Sequence, residues 1–210
     1  SAALSSPWGT HEAFERANVT GSLCVALAAL RSGVKRLVFV SSASVYAQPQ
    51  ERLGWKETDV LPRPVNRYAA SKQRAERALA EVFPAEKLVI LRPRAIFGRG
   101  DTAIWPRLRD VAHKTSGVLP LFQKGQGLMD MLYVEDAAAA CLAALSGAPG
   151  TYNLTQGDPR PIKDVISTVF AHRRLPLQWR RLPLAPTMAI AGWVERWSEF
   201  RAHAKEPALT

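Results

Sequence analysis

The sequence predicts an α/β fold built around a mostly parallel sheet, and three features carry the prediction. Arg36–Ser41 and Lys87–Arg92 are short, continuous apolar runs rich in β-branched residues, as strands buried on both faces are. Helical periodicity occupies 11–31 and 66–82, on either side of the first run. Beyond the second run, helix-like stretches at 104–114, 135–146 and 162–172 alternate with strand-like runs at 118–122, 130–134 and 151–154.

Taken in order, Thr10 is the N-cap of a first helix whose period runs through Phe14, Ala17, Val19, Leu23, Val25, Leu27 and Leu30. Gly33 ends it. The first strand follows, then a polar, proline-bearing loop over about 47–65. The second helix leads into the second strand, which ends in Arg92-Pro93-Arg94-Ala95-Ile96-Phe97-Gly98-Arg99-Gly100, a stiff segment running into a glycine-rich turn. Residues 176–182 add a candidate strand, and 185–203 a terminal amphipathic helix.

With 210 residues, 47% of them hydrophobic and 22% charged, the chain can form one sizeable core, or one domain and part of another. The net charge of +10 raises the question of nucleic acid. The densest basic groups are Arg92/Arg94/Arg99, Arg107/Arg109 and Arg173/Arg174/Arg180/Arg181, and none is interleaved with stacking aromatics. They read as scattered, solvated charge, and no nucleic-acid partner is expected. No apolar run approaches the ~20 residues of a membrane span. The first residues lack the basic and apolar regions of a secretory signal, so a cytoplasmic location is expected. Cys24 and Cys141 each sit in a helix-like apolar segment without metal-ligand spacing; they read as buried, reduced thiols, and no metal site is expected.

The chemistry starts at Tyr68-Ala-Ala-Ser-Lys72, which sets a phenol and an ammonium at i and i+4 on one helix face. A nearby cation favours phenolate, and bringing the phenol near neutrality takes roughly 4 kcal/mol of differential stabilisation. Such a group would serve as an acid/base on an alcohol or a ketone. Ser42 stands at the carboxyl end of the first buried strand, where open α/β sheets bind their ligands. Its hydroxyl could polarise a substrate carbonyl, although serines after a strand are also ordinary turn residues.

Together these segments resemble the extended short-chain dehydrogenase/reductase family, which also holds epimerases and dehydratases of nucleotide sugars. The matching pieces are Ala2-Ala3-Leu4, Asn18-Val19-Thr20-Gly21, Val38–Tyr46, Tyr68–Lys72, Leu91–Gly100 and Asp130–Asp136, in the family's order. The resemblance implies a Rossmann-like sheet lacking its N-terminal strands, plus part of a small C-terminal substrate domain. Residues 1–115 would be the catalytic part of the dinucleotide-binding domain, and 116–210 a mixed, partial substrate domain with elements returning to the sheet. The implied cofactor is NAD or NADP. Tyr68 would be the acid/base, Lys72 would hold the nicotinamide ribose and tune Tyr68, and Ser42 would orient the substrate oxygen. Asn18 matches the family's helix asparagine near the catalytic group. Ala2, Ser5 and Val40 would lie along the cofactor, and Pro93 to Ile96 would meet its carboxamide edge. A homodimer through a bundle of the helices at 11–31 and 66–82 is also implied.

Two departures from the pattern are informative. No G-x-G-x-x-G is present, and the family's first three strands have no counterpart, so the chain reads as an interior piece of such a fold. Where nucleotide-sugar members carry an arginine that meets a diphosphate, this chain has Met129, and a thioether cannot pair a phosphate. Together with Ala3–Gly9 and Asn66-Arg67-Tyr68, this resembles the 3β-hydroxysteroid-dehydrogenase-like branch. The implied reaction interconverts a hydroxyl and a ketone on a small hydrophobic substrate, sterol-like or a long-chain β-hydroxy/keto compound. Trp8, Trp105, Met129 and Met131 would suit its pocket, or would serve as ordinary packing. A nucleotide-sugar epimerase or dehydratase using the same residues stays open as the alternative, as does a non-catalytic protein with this fold.

Overall fold

Strand β2 (Leu88–Pro93) is buried along its whole length, and parallel neighbours on both sides explain why. β1 (Leu37–Val40) pairs with it from Leu37↔Leu88 to Val40↔Leu91, and β7 (Gly150–Leu154) from Val89↔Gly150 to Pro93↔Leu154. Successive side chains point to opposite faces, and both faces are covered. Leu88 and Ile90 pack with Leu37 and Phe39 against α2 (Gly21–Arg31) and α3 (Arg67–Val82), through Ala26, Leu79 and Phe83 just past α3. On the other face Val89 and Leu91 pack with Val38 and Leu154 against Cys141 and Ala144, at the end of α5 (Val134–Ala143).

The computed structural model describes residues 3–5, 9–48, 52–102, 104–122 and 125–183; Ala2, Trp8 and the helix expected at 185–203 lie outside them. The chain divides into two compact units, Ser1–Asp101 with Asp130–Asp158, and Thr102–Met129 with Pro159–Thr210. In the second unit α4 (Trp105–Lys114) packs with β4 (Val118–Leu121) and α6 (Ile162–His172) around Phe170, Leu119 and Ala112. Residues 130–158 belong to the first unit because β7 completes its sheet beside β2. There β3 (Ala95–Phe97) also pairs in parallel with β6 (Met131–Tyr133). In the second unit β4 pairs in parallel with β9 (Gln178–Arg181), and β5 (Leu128–Met129) runs antiparallel to β8 (Arg160–Pro161). Among the described residues, no helix is long and apolar enough to cross a membrane.

The first helix is not uniform. Thr10 caps α1 (His11–Phe14) by accepting from Ala13 N at 3.1 Å. A π-helical turn then occupies Glu15–Thr20, and only after it does regular α-helix resume in α2. Gly33, at φ +64°, closes the end, with its N–H on the Leu30 carbonyl and Val34 N–H on the Ala29 carbonyl. The wide turn changes which side chains point inward. Ala26 is the buried residue of α2, while Val25 and Leu27 are 60% and 42% exposed. Cys24 is therefore exposed, contrary to the buried thiol expected, and Cys141 is half-buried. Arg92 corrects the reading of the basic groups as solvated: it is 6% exposed, inside β2.

Candidate active site

The N-terminus of α3 is fixed by Asn66, whose side chain accepts from Ala69 N at 2.8 Å. That cap places Tyr68 and Lys72 one turn apart on the face that meets the carboxyl end of β1. Beyond Val40, Ser41 N–H still joins the sheet, donating to the Leu91 carbonyl at 2.7 Å. Ser42 leaves it: its side chain caps a 3₁₀ turn over Ala43–Tyr46 by accepting from Ser44 N at 3.1 Å. The Ser42 hydroxyl also hydrogen-bonds Tyr68, and Lys72 Nζ donates to the Val40 carbonyl at 3.0 Å.

The electrostatics differ from the sequence expectation at one point. Tyr68 was expected to be drawn down by Lys72; instead burial raises it above the ordinary phenol value, and the hydrogen bond from Ser42 offsets only part of this. Lys72 carries the opposite shift. Burial pulls its ammonium down to about 8, against the partial support of the Glu76 carboxylate. Its Nζ lies 5.9 Å from the centre of the Tyr68 ring and 5.1 Å from that of Phe39, so the cation stands beside the phenol without bonding it. A buried phenol with a hydroxyl partner can donate a proton to an oxygen, and a nearby ammonium can stabilise the phenolate left behind.

Asn18 reaches the same place from the π-helical turn. Its Oδ1 accepts from Leu4 N at 2.7 Å, and its Nδ2 donates to the Leu4 carbonyl at 3.1 Å and to Ser71 Oγ at 2.9 Å. Ser71 Oγ in turn donates to the Tyr68 carbonyl at 2.8 Å. Asn18 thus ties the segment before Ser5 to the helix that carries Tyr68; Ser5 itself is exposed. Pro93 ends β2 opposite Leu154, and Ile96 lies on β3 opposite Leu132 and is 37% exposed. The backbone between them is already engaged, since Arg94 N–H donates to the Leu154 carbonyl at 2.9 Å. Of the residues considered for an apolar pocket, Trp105 packs edge-on against Phe170 with ring centres 6.1 Å apart, as core. Met129 on β5 stands directly across from Arg160 on β8.

Sequence reasoning missed the layer beneath these residues. Glu76, one turn past Lys72, accepts from Ser41 Oγ at 2.5 Å and from Arg92 Nε and Nη2 at 3.1 and 2.6 Å. Both members of this ion pair are buried, at 6% and 7% side-chain exposure. Removing one member of such a pair costs about 3–5 kcal/mol, because the other is left charged and unmatched. Arg92 Nη1 also donates to the Tyr46 hydroxyl at 2.5 Å, and that hydroxyl donates to Asn153 Oδ1 at 2.8 Å. Tyr46 stacks on Trp55 at 5.1 Å, and Arg52 covers the outer side of Trp55 at 3.8 Å. The one sequence signal for this layer is the continuation of the Tyr68, Lys72 spacing to Glu76. Among the described residues no group of His, Cys, Asp or Glu is placed to hold a metal ion.

The sequence model of the NAD dependent epimerase/dehydratase family matches residues 2–155. The 2-alkyl-3-oxoalkanoate reductase of Stenotrophomonas maltophilia is 33% identical over 97% of this chain and 64% of its own length. The decarboxylating sterol-4-alpha-carboxylate 3-dehydrogenase of Mus musculus is 29% identical over 75% of this chain and 46% of its own. The chain therefore spans less than two thirds of these relatives. Among solved structures, MoeE5 in complex with UDP-glucose and NAD superposes with a TM-score of 0.70 at 26% identity, over 87% of this chain and 64% of that one.

Proposed function

Because the chain belongs to the NAD dependent epimerase/dehydratase family, we propose that the protein is an NAD(P)-dependent oxidoreductase interconverting a hydroxyl and a ketone on a hydrophobic substrate, with Ser42, Tyr68 and Lys72 handling the proton. The observation that carries the reading is the buried Tyr68 phenol, hydrogen-bonded to Ser42 and raised above its ordinary pKa. At neutral pH it is a proton donor. In the reducing direction Ser42 and Tyr68 both hydrogen-bond the substrate oxygen, and the phenol proton passes to that oxygen as it gains charge. The Lys72 ammonium and the Ser42 hydroxyl then stabilise the phenolate.

The residues present fit a nicotinamide ribose. An ammonium has three donors and the Val40 carbonyl takes one from Lys72, leaving donors for the sugar hydroxyls beside Tyr68. Tyr68 and Lys72 would hold the ribose, with Ala2, Ser5, Val40, Pro93 and Ile96 along the cofactor. When bound, the cofactor supplies or accepts the hydride.

Two things support an apolar ketone or alcohol: Met129 at the position of a phosphate-binding arginine, and relatives named for 3-oxoalkanoate and sterol chemistry. One observation favours the nucleotide-sugar alternative: Arg160 stands opposite Met129 on the neighbouring strand, and residues so paired share a face. The exposed Val25 and Leu27 of α2 and Val82 of α3 are consistent with a homodimer through those helices. The test uses the full-length protein with a 2-alkyl-3-oxoalkanoate and either NADH or NADPH. Turnover is expected, and Tyr68→Phe should cut it by roughly 10²-fold or more. Undiminished turnover in that variant removes Tyr68 from the reaction. Micromolar binding of UDP-glucose without ketone reduction would put the alternative first.

A further inference from the structure

Tyr68, Lys72 and Glu76 follow one another at one-turn intervals on α3, and each grips a different residue at the end of β1. Tyr68 meets the Ser42 hydroxyl, Lys72 donates to the Val40 carbonyl, and Glu76 accepts from the Ser41 hydroxyl. The first two belong to the chemistry proposed above; the third has no role in it. We propose that Glu76 is a positioning residue for the reaction, fixing through Ser41 the direction in which Ser42 presents its hydroxyl, with Arg92 holding Glu76 in place. The inference rests on the roles given to Ser42, Tyr68 and Lys72.

The geometry supports it in two ways. Ser41 is the last residue tied to the sheet, and it is held at both ends: its N–H donates to the Leu91 carbonyl at 2.7 Å and its hydroxyl to Glu76 at 2.5 Å. Ser42 is the first residue free of the ladder, so the angle at which it departs is set by its neighbour. Glu76 cannot drift, because Arg92 meets its two oxygens from β2, the strand beside β1, at 2.6 and 3.1 Å. The clamp is therefore anchored in the most buried strand of the sheet rather than in a loop.

The same carboxylate acts on Lys72 through space. It opposes the burial that pulls the ammonium down to about 8. The other titratable or charged residues reached from Lys72 and Glu76 are Tyr68 on α3, Arg92 on β2 and, through Arg92, Tyr46 of the 3₁₀ turn and Glu57, whose backbone carbonyl accepts from Arg92 Nη1 at 3.4 Å. Glu76 is the carboxylate that favours the charged form of Lys72, so its removal lowers the pH at which Lys72 loses its proton.

The experiment measures kcat, KM and the pH profile of ketone reduction in the full-length protein and in the variants S41A, E76D, E76Q and Y68F. S41A leaves every charge in place; its kcat should fall about tenfold with KM nearly unchanged, as misaligned catalytic groups do. E76Q should move the alkaline limb of kcat/KM down by about one pH unit, and E76D should restore it in part. Wild-type kcat in S41A overturns the proposal, as does wild-type kcat in an E76Q that is folded by circular dichroism; an unmoved limb in that variant rejects the action of Glu76 on Lys72. Should E76Q not fold, S41A and E76D decide on the same criteria. Y68F separates this from the underlying reading: undiminished turnover there rejects the acid/base role of Tyr68, whereas an inactive Y68F with unaltered S41A and E76Q rejects only the role of Glu76.

Discussion

Asn18 holds Leu4 by both its backbone N–H, at 2.7 Å, and its backbone carbonyl, at 3.1 Å. One side-chain amide thus does for Leu4 what a neighbouring strand does for a ladder residue. Its spare amide proton goes to Ser71 at 2.9 Å, which places the segment against the helix of Tyr68. Asn18→Ala removes three hydrogen bonds and strands buried partners, and should lower stability by about 1–3 kcal/mol. Urea denaturation measures the loss, and amide exchange at Leu4 should accelerate with it. Unchanged protection at Leu4 would mean that something other than Asn18 holds the segment.

Lys72 gives the fold a pH dependence whose sign follows from its shift. The folded protein binds the Lys72 proton with a pKa of about 8, whereas the unfolded chain keeps it to the ordinary lysine range near 10.5. Between those values the unfolded state carries more protons, so this group's contribution to stability rises with pH across that window. Below about 8 the buried ammonium is a standing cost. Wild type should therefore gain stability relative to Lys72→Met as pH is raised from 8 toward 10, in paired denaturant titrations. A constant difference across that range would place the Lys72 pKa elsewhere.

Gly98 follows β3 at φ +136°, a conformation that L side chains rarely adopt. A Cβ there would lie 2.6 Å from Val134 Cγ1 and 3.0 Å from Tyr133 Cε2. Gly98→Ala should cost at least about 2 kcal/mol from strain and overpacking together. Because Gly98 ends the segment that carries Ile96, cofactor affinity in the full-length protein should fall as well. Thermal denaturation and an NADPH titration read the two effects separately, and wild-type values in both would refute the account.

How far the fold could be read from the sequence follows from where each signal resides. The strand around Ile90 is buried along its whole length, and its own composition reveals it; the strand around Val38 has the same composition but lies at the edge of the sheet and is only half-buried, against the burial expected of it. The helices at 67–82 and 162–172 carry their period and stops locally. The π-helical turn at Glu15–Thr20 was invisible, because apolar residues continue through it at spacings close to an α-helical period. β3, β5 and β8 are two or three residues long and exist only through partners distant in sequence, so Ala95–Phe97 reads as part of a glycine-rich turn. At the site, Tyr68, Lys72 and Ser42 were legible from spacing and from strand ends. Glu76 and Arg92 were not, because charge is ordinarily solvated and only the tertiary pairing pulls these two inside.

The wide turn at Glu15–Thr20 also makes the length of that segment matter independently of its letters. A π-helical turn holds one residue more than the α-helix around it, which offsets the two flanking stretches by about 100° about the axis. Losing one residue there would rewind the turn to a regular helix and swing the Asn18 amide away from Leu4. It would also rotate α2, replacing Ala26 at the α3 contact with a bulkier neighbour. A one-residue gap at this point in an aligned sequence would therefore mark a chain that has relinquished the Asn18 anchor, even where an asparagine is still written nearby.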